Sequence, residues 1–369
     1  MRDVIYSHFC IVKKSIFTTS LMQWHKTAND RQMPWKGERD PYKIWLSEVI
    51  LQQTRVEQGW SYYEKFIKHY PTIDKLAKAK DEDAYKLWEG LGYYNRCKNL
   101  LFTAREIVQQ HKGVFPSEYD NILALKGVGP YTAAAIASFA YDLPFAVVDG
   151  NVFRVLSRAF GVDTAIDSTA GKQYFATLAQ EVLDLKEPGA YNQAIMDFGA
   201  TVCKPALPHC AYCPLEKHCV ARATGKVNAL PVKEKVLQKK TRWFTYFIFE
   251  NDGRLYIRKR GEKDIWENLY EFYLVETDEK PVWDTTTVAG WLDEQFRLTN
   301  ATVGHITTGI NQQLTHQTIK AQFILVHLKD KKFSLSGFDA VGRKELSKYA
   351  FPKLINMYLR EKANIVTLF

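Results

Sequence analysis

The pattern of apolar and polar positions divides the chain into two parts. From about residue 20 to 220, apolar residues recur with helical spacing, as in PYKIWLSEVILQQTRVEQGWSYYEKFIKHY and NLLFTAREIVQQH, and Pro and Gly separate these segments. From Trp243 onward, WFTYFIFE and RLYIRKR flank an Asp-Gly pair, which is the pattern of a β-hairpin. AQFILVHL predicts a further strand, and LSKYAFPKLINMYLREK predicts a closing helix. We therefore expect a multidomain protein, with an all-α domain followed by a smaller α+β domain.

The boundary between these parts falls after Cys219. The segment ARATGKVNALPVKEKVLQKKTR is basic, contains Gly and Pro and is poor in aromatic residues, so it predicts a linker. We place the helical domain at residues 20–225, the linker at 226–240 and the second domain at 241–369. Residues 1–19 are interpreted as an N-terminal tail.

Charge and composition narrow the class of partner. Lysine and arginine together number 50 against 41 aspartates and glutamates, a net charge of +9, which suits a polyanion such as nucleic acid. No unbroken apolar stretch approaches the length of a membrane span, and the first residues lack the pattern of a signal peptide. We therefore expect a cytoplasmic protein, associated with the nucleoid if it is bacterial, and monomeric. Its cysteines should stay reduced in that compartment.

Four of the six cysteines lie in one short stretch, CKPALPHCAYCPLEKHC, with the spacing C-x6-C-x2-C-x5-C. Four thiolates from one loop can surround a single metal centre, and both zinc and a [4Fe-4S] cluster accept four sulfur ligands. Two disulfides are the alternative, which a reducing compartment disfavours. The candidate ligands are Cys203, Cys210, Cys213 and Cys219.

A second motif is LKGVGPYTAAAI, in which Gly127 and Gly129 separate two helical segments. Two glycines allow a tight turn that points backbone N–H groups from the start of the next helix, where an anion is favoured. A plain helical turn is the alternative. The motif is followed by FAVVDGNVFRVLSRAF, which places Asp149 after an apolar run and before a helix. Asp149 can be a helix N-cap or a carboxylate at the mouth of a cleft.

The third motif is SEVILQQTRVEQ. Ile44, Glu48 and Gln52 recur every four residues and Trp45 and Val49 flank them, so Glu48 lies on or beside an apolar stripe. A carboxyl group in that place is either a hydrogen-bonded buried polar group or an acid whose pKa is raised by burial. An acid of the second kind suits general acid catalysis near neutral pH.

The order of these motifs is specific: the glutamate helix, LGYYNR, the hairpin, the aspartate segment and the cysteine loop. Over about residues 20 to 225 this order resembles the helix–hairpin–helix DNA glycosylases with a C-terminal iron–sulfur loop. Glycosylase/lyases similar to endonuclease III have a lysine nucleophile where this chain has Tyr131. Together with SEVILQQT, the upstream RQMPW and the extra domain, this resembles the MutY-type adenine DNA glycosylases, which remove adenine mispaired with 8-oxoguanine.

The resemblance implies a fold, a cofactor and a mechanism. It implies a helix–hairpin–helix glycosylase domain whose four cysteines hold a [4Fe-4S] cluster and help the domain bind DNA. It assigns Glu48 as the acid that protonates adenine at N7 and Asp149 as the carboxylate that stabilises the oxocarbenium ion. Tyr131 and Asn151 match the neighbours that orient these groups.

The resemblance also implies which side chains contact the two bases. The hairpin residues Gly127 and Gly129 match the turn that holds a DNA phosphate. Gln53 and Tyr93 match side chains that wedge into the base stack near 8-oxoguanine. The remaining substrate-binding positions are Arg31, Met33, Trp35 and Gln193 around adenine, with Thr54 and Leu91 beside the wedges.

The second domain begins like a Nudix domain, with GRLYIRKRGEKDIWENLYEFYLVE. The next residues, TDEKPVWDTTTVAGWLDEQF, lack the glycine-led, Glu-rich helix that binds metal ions in Nudix hydrolases, so we expect this domain to recognise and not to hydrolyse. The family's domain contacts 8-oxoguanine through a Phe-Ser-His pattern. The matching residues here are Leu314, Thr315 and His316, which keep a hydroxyl and an imidazole but not the Phe ring.

The expected function is therefore a monofunctional adenine glycosylase acting on double-stranded DNA with A:8-oxoguanine or A:G mismatches. An endonuclease III-like glycosylase and AP lyase is the first alternative, and Tyr131 argues against it. A non-catalytic mismatch-binding protein is the second, and the presence of Glu48 and Asp149 argues against it. A nucleotide pyrophosphohydrolase would need the metal-binding helix that the second domain lacks.

Overall fold

The computed structural model describes residues 2–235, 238–262, 264–307, 309–330 and 333–366. The chain forms two compact units. The first comprises Met1–Lys78 and Lys98–Lys235, and the second comprises Ala79–Cys97 and Val236–Phe369. Within the described residues, no helix is both long and apolar enough to cross a membrane.

The first unit is helical, as the sequence predicts. Its helices, together with α5 of the second unit, are α1 (Arg2–Ala28), α2 (Pro41–Leu51), α3 (Val56–His69), α4 (Ile73–Ala77), α5 (Asp81–Trp88), α6 (Asn95–Gln110), α7 (Tyr119–Ala124), α8 (Pro130–Tyr141), α9 (Gly150–Phe160), α10 (Thr169–Glu181), α11 (Pro188–Thr201) and α12 (Val220–Ala223). Two short 3-10 helices, Cys210–Tyr212 and Glu216–His218, lie in the cysteine loop.

The core of the first unit is built by α8, α9, α10 and α11 with one face of α1. Phe17 and Leu21 of α1 are buried in the same cluster as Val155 and Phe198. Helix α1 therefore runs without a break through residue 20, where the sequence analysis placed the start of the domain. The apolar spacing of Phe17, Leu21 and Met22 is helical, which explains why the helix extends upstream of that boundary.

The long apolar run from Pro41 forms two helices and not one. Asp40 caps α2 by accepting a hydrogen bond from the Tyr42 N–H at 2.9 Å, and Pro41 occupies the first turn. The chain leaves the helix after Leu51, because Gln53 adopts a left-handed φ of 55°. This turn, which periodicity alone does not predict, separates Glu48 on α2 from α3.

The predicted hairpin lies between α7 and α8. Gly127 has a φ of +80°, and a Cβ there would lie 2.8 Å from the Cβ of Asn99, so only glycine fits. Gly129 is the N-cap of α8, and no atom beyond its own helix and chain neighbours lies within 4 Å of the place where its Cβ would be. The binding of a phosphate at the start of α8 stays a prediction.

The second unit contains an eight-stranded mixed sheet in the order β3-β2-β1-β7-β5, with β4 paired to β1, β6 to β7 and β8 to β2. The strands are β1 (Lys240–Asn251), β2 (Arg254–Lys259), β3 (Tyr270–Glu271), β4 (Tyr273–Thr277), β5 (Thr302–Ile306), β6 (Ile310–Gln313), β7 (Gln317–Leu328) and β8 (Asp339–Gly342). Strands β1 and β7 are parallel along their whole length. The predicted β1–β2 hairpin is confirmed, with Asn251 opposite Arg254.

Helices α13 and α14 lie in the C-terminal part of the second unit. Helix α13 (Thr285–Phe296) packs Val288 and Leu292 against Phe247 and Ile324 of the sheet. Helix α14 covers Lys353–Val366, so the closing helix is shorter than its sequence pattern predicts. Residues Arg343–Lys348 form a 3-10 helix, and Pro352 explains the interruption because the residue before a proline is disfavoured in a helix.

The segment Ala79–Cys97, which contains α5, belongs to the second unit although it precedes most of the first unit in sequence. The Lys86 ammonium donates to the Tyr349 carbonyl oxygen at 2.9 Å. The Glu89 carboxylate accepts from the Phe351 N–H at 2.8 Å and from the Asn356 amide at 2.9 Å. These contacts tie the segment to the residues that lead into and begin α14.

Candidate active site

A single cavity in the first unit collects most of the side chains that the sequence analysis assigned to catalysis and to adenine. Its volume is about 390 Å³. The predicted residues that line it are Arg31, Met33, Trp35, Glu48, Thr54, Tyr131, Asp149, Asn151 and Gln193. They come from the loop after α1, from α2, α8, α9 and α11, and from the turn after α2. The structure thus brings together residues that are far apart in sequence.

Glu48 lies on the buried face of α2, with only 5% of its surface exposed. Burial, with a smaller contribution from the nearby charge of Asp149, raises the pKa of its carboxyl group from 4.5 to about 7. A hydrogen bond from the Tyr131 hydroxyl opposes the rise because it favours the ionised form. Glu48 is therefore an acid that still holds its proton near neutral pH.

Tyr131 stands in the first turn of α8, directly after the hairpin. Its hydroxyl lies 3.4 Å from the Met196 sulfur and is hydrogen-bonded to Glu48. Burial and the two neighbouring carboxyl groups, Glu48 and Asp149, raise the pKa of Tyr131 far above its ordinary value. The phenol is therefore a neutral hydrogen-bond donor beside Glu48.

Asp149 is the N-cap of α9, so its structural role is confirmed. Its Oδ1 accepts from the Val152 N–H at 2.8 Å, and its Oδ2 accepts from the Asn151 amide at 2.8 Å. Burial raises the pKa of Asp149, while the Val152 and Asn151 donors and the charge of Arg154 limit the rise. The same carboxyl group lines the cavity, so the capping and the site interpretations are compatible.

The segment before Asp149 is held by a buried amide. The Asn192 carbonyl oxygen accepts from the Val147 N–H at 3.1 Å, and its amide nitrogen donates to the Phe145 carbonyl oxygen at 2.8 Å and to the Ser138 hydroxyl at 2.9 Å. An extended stretch is thereby fixed against α8 and α11. Asp149 consequently enters the cavity from a rigid support.

Arg154 lies one turn into α9 and supports Asn151, the neighbour of Asp149. Its guanidinium donates to the Asn151 side-chain oxygen at 2.9 Å and to the carbonyl oxygens of Gly199 at 2.6 Å and Cys203 at 2.7 Å. The bond to Asn151 fixes the orientation of that amide, so its nitrogen must face Asp149. The sequence analysis did not identify Arg154, because an arginine on an apolar helix gives no sign of its partners.

The four cysteines of the loop line one small cavity of about 30 Å³. None of them forms a disulfide. Burial first, and then the proximity of the other three thiols, raises the pKa of Cys213 to about 12. A positively charged metal centre would lower the pKa of these thiols, because it stabilises thiolates. The donor set therefore fits a group that binds four sulfurs.

Within the described ranges, no three His, Cys, Asp or Glu side chains converge closely enough to hold one metal ion.

Five of the predicted substrate-binding residues do not line the cavity. Gln53 is exposed in the turn after α2, with its left-handed backbone. Leu91 is buried, with 4% of its surface exposed, whereas Tyr93 is 44% exposed. Thr315 and His316 lie in the turn between β6 and β7, and the Thr315 hydroxyl is 2.5 Å from the Tyr93 hydroxyl. Tyr93 and Thr315 are therefore brought together within the second unit, and His316 is exposed beside them.

Comparison with known proteins agrees with both parts of the chain. Residues 46–181 match the HhH-GPD superfamily of base excision DNA repair proteins, and residues 245–361 match the NUDIX domain. Among solved structures, a thermostable thymine-DNA glycosylase has a TM-score of 0.54 and 29% identity, and the match covers 57% of this chain and 97% of that chain. A non-covalent endonuclease III–DNA complex, at a TM-score of 0.50 and 21% identity, shares the fold.

Relatives in sequence extend across most of the chain. The adenine DNA glycosylase of Buchnera aphidicola subsp. Acyrthosiphon pisum (strain APS) is 34% identical over 261 residues, which are 70% of this chain and 74% of that protein. The adenine DNA glycosylase of Homo sapiens is 40% identical over 243 residues, which are 61% of this chain and 44% of that protein. The helical unit with two carboxyl groups in one cavity, the Nudix-like unit and these relatives lead to one conclusion: the chain belongs to the adenine DNA glycosylases of the HhH-GPD superfamily.

Proposed function

We propose that this enzyme flips adenine out of duplex DNA, opposite 8-oxoguanine or guanine, and hydrolyses its N-glycosidic bond without cutting the strand. The observation that carries the proposal is the cavity that holds two carboxyl groups, of which Glu48 keeps its proton to about pH 7 and Asp149 is fixed by two donors. A cavity of about 390 Å³ is large enough for a purine base.

Glu48 supplies the proton that makes adenine a leaving group. The acid protonates N7 of the base, the bond between C1′ and N9 breaks, and its electron pair moves into the departing adenine. Water then adds to C1′, and the proton that it releases restores Glu48. The burial that raises the pKa of Glu48 therefore matches the acid to neutral pH.

Asp149 stabilises the positive charge that develops on the sugar. Its carboxylate is held by the Val152 N–H and the Asn151 amide, so it needs little rearrangement as the oxocarbenium ion forms. Two carboxyl groups with these roles are the usual apparatus of glycoside hydrolysis. Asn151, kept in place by Arg154, orients the carboxylate toward the reaction.

Strand cleavage by a lyase requires an amine that forms a Schiff base with the abasic sugar. Tyr131 occupies the position in question, and it is hydrogen-bonded to Glu48. We therefore propose a monofunctional enzyme, for which borohydride should trap little covalent complex. The likeness to endonuclease III concerns the fold and gives no support to the lyase alternative.

Recognition of 8-oxoguanine is assigned to the second unit. The hydroxyl groups of Tyr93 and Thr315 are in contact, and both residues match the family's positions for that base. An exposed phenol ring with a left-handed backbone, φ 49°, is suited to wedge between bases. Thr315 supplies a hydroxyl, and His316 an imidazole, for hydrogen bonds to the oxidised base.

We further propose that the cysteine loop holds a [4Fe-4S] cluster through Cys203, Cys210, Cys213 and Cys219. Such a cluster supplies a structural centre with no open position for substrate. Protein purified without oxygen should contain iron and acid-labile sulfide. Cys210→Ser should lower the iron content, whereas Cys97→Ala, at a buried cysteine outside the loop, should not. Zinc in place of iron would overturn this assignment.

The test of the function is a set of duplexes that hold adenine opposite 8-oxoguanine, guanine or thymine. We expect free adenine and alkali-labile sites from the first two. Glu48→Gln and Asp149→Asn should abolish adenine release and leave duplex affinity nearly unchanged, because both keep the shape of the side chain. Glu181→Gln, at a surface carboxylate paired with Lys14, is the matched control. Normal cleavage by either site variant would contradict its assigned role.

A further inference from the structure

Behind the wall of the cavity lies a buried carboxylate that the mechanism does not use. Asp197 on α11 is completely buried. Its Oδ1 accepts from Arg31 at 2.9 Å and from the Gln193 amide nitrogen at 2.9 Å. Its Oδ2 accepts from Asn29 at 2.8 Å and pairs with the Lys36 ammonium at 3.3 Å. Arg31, Lys36 and Gln193 line the cavity, so one carboxylate holds three of its wall residues.

The carboxylate determines which end of the Gln193 amide faces it. An ionised carboxylate only accepts hydrogen bonds, so the amide must present its NH₂ group to Asp197 and direct its carbonyl oxygen elsewhere. Within the described part of the chain, no residue donates a hydrogen bond to that oxygen, and Gln193 lines the cavity. The oxygen is therefore left as an acceptor for a ligand.

Arg31 supplies hydrogen-bond donors to the same cavity, whereas Gln193 supplies an acceptor. A guanidinium carries five N–H donors and no acceptor, and one of its nitrogens is engaged by Asp197. The remaining donors belong to a side chain that lines the same cavity. Asp197 consequently fixes a wall with a donor from Arg31 and an acceptor from Gln193.

This polarity matches adenine and opposes the 6-oxo purines. Adenine carries an amino donor at C6 next to the N7 acceptor, whereas guanine carries an oxygen acceptor at C6. An oxygen at C6 would face the Gln193 oxygen, and two acceptors repel each other. We infer that Asp197 is a positioning residue that makes the pocket selective for a 6-amino purine, an inference that rests on the proposed adenine excision.

A purely structural role makes a different prediction. If Asp197 only neutralised the partly buried charges of Arg31 and Lys36, its replacement would slow the excision of every base by the same factor. If it orients the Gln193 amide, the loss should depend on whether the base has an amino group at C6. Duplexes that carry adenine, unsubstituted purine or hypoxanthine opposite guanine separate these cases.

The first variant is Asp197→Asn, assayed by single-turnover excision. Asn can donate as well as accept, so the Gln193 amide is no longer held in one orientation. We expect the variant to lose about tenfold more rate on adenine than on purine, which is the effect of about one hydrogen bond. Its discrimination against hypoxanthine should fall by a similar factor.

The double variant Asp197→Asn, Gln193→Glu tests the polarity directly. The Asn amide now donates to the new carboxylate, whose second oxygen is left as an acceptor for the base, and the net charge is unchanged. The preference for adenine over purine should return toward that of the unmodified enzyme. Thermal unfolding and duplex affinity show whether each variant is folded.

The outcomes are distinct. Equal losses on all three bases, or a double variant no better than Asp197→Asn, would overturn the positioning role. An unmodified enzyme that releases no adenine would instead overturn the proposed function. If Asp197→Asn does not fold, Gln193→Met keeps the carboxylate and removes the acceptor. It should abolish the preference for adenine over purine, and a retained preference would refute the inference.

Discussion

At the scale of the residue, the chemistry depends on how Glu48 is surrounded. Its carboxyl group is buried, receives one hydrogen bond from Tyr131 and lies near the charge of Asp149. Desolvation is the largest effect, and it favours the protonated form. Burial in this way makes Glu48 suitable as a proton donor near neutral pH.

The rate of adenine release should depend on pH through this group. The acid form is required, and the pKa of Glu48 is about 7. We expect the single-turnover rate to be constant in mildly acid buffer and to fall about tenfold per pH unit well above pH 7. A rate that is independent of pH from 6 to 9 would show that Glu48 does not donate the proton.

Stability should depend on the same ionisation, with a definite sign. The folded protein binds the Glu48 proton more tightly than the unfolded chain, whose glutamate has a pKa near 4.5. The associated stability is fully present below pH 4.5 and is lost as the pH rises through 7. Glu48→Gln has no charge to bury, so relative to the unmodified protein it should be more stable at pH 8, by up to about 3 kcal/mol.

Urea unfolding at pH 5.5 and pH 8 measures this difference. The stability gain of Glu48→Gln should be greater at pH 8 than at pH 5.5, by about 2 kcal/mol. The surface variant Glu181→Gln should show no such dependence, since Lys14 pairs with that carboxylate in solvent. A gain of equal size at the two pH values would mean that Glu48 titrates at its ordinary pKa.

The residue assignments could be made from sequence only where a motif carried them. Glu48 could be placed beside an apolar stripe, but its role depends on Tyr131 and Asp149, which come from segments far along the chain. Asp197 and Arg154 have no motif, because their partners are backbone carbonyls and side chains from distant loops. The sequence offers one signal for Asp197. It follows Gln193 by four residues in the otherwise apolar stretch QAIMDFGA, so the two side chains share one face of the helix.

At the scale of the element, α9 connects the site with the cysteine loop. Asp149 caps its first turn, and Arg154 and Arg158 follow one helical turn apart on its buried face. Arg158 donates to the Lys204 carbonyl oxygen at 2.8 Å, and its guanidinium lies 3.5 Å from the Cys203 sulfur. The helix therefore supports the carboxylate at one end and the loop along its side.

Arg154→Lys should weaken both of these supports. Lysine keeps the charge but cannot reach Asn151, Gly199 and Cys203 together, because its ammonium lacks the planar fork of arginine. We expect a lower single-turnover rate and a lower thermal unfolding temperature, with at least one buried carbonyl oxygen unpaired at a cost of about 1–3 kcal/mol. Arg222→Lys, at an exposed arginine near the loop, should change neither quantity. An active, fully stable Arg154→Lys would show that the bonds to Asn151 and Cys203 are dispensable.

The elements themselves were largely predictable, because helical and alternating apolar spacing is a local property. The hairpin at Gly127 and the turn at Asp252 and Gly253 have glycines where the backbone requires positive φ. The break at Gln53 was not predictable, since it is a non-glycine residue in a left-handed conformation and the apolar positions on both sides of it keep helical spacing.

At the scale of the whole molecule, the proposed tasks fall in different units. The carboxyl groups, the hairpin and the cysteines lie in the first unit, while Tyr93 and Thr315 lie in the second. The two-part division was evident from sequence, but the membership of Ala79–Cys97 was not, because a contact between residues 89 and 356 leaves no local pattern.

Thr315→Val should reduce recognition more than chemistry. The change removes the hydroxyl that contacts Tyr93 and keeps the shape of the side chain. We expect the preference for adenine opposite 8-oxoguanine over adenine opposite guanine to fall about tenfold, with little change in the rate on the second duplex. Thr302→Val, at an exposed threonine of β5, should leave the ratio unchanged. An unaltered ratio for Thr315→Val would remove that hydroxyl from base recognition.

The position of Ala79–Cys97 in the sequence also affects the order in which its contacts can form during synthesis. A ribosome adds about 5–20 residues per second, so α5 emerges tens of seconds, roughly 10 to 50, before Tyr349, Phe351 and Asn356. During that time Lys86 and Glu89 lack those partners. The segment thus reaches its final contacts only when the last helix has been synthesised. A message that stops after residue 235 would yield a chain in which this segment never acquires them.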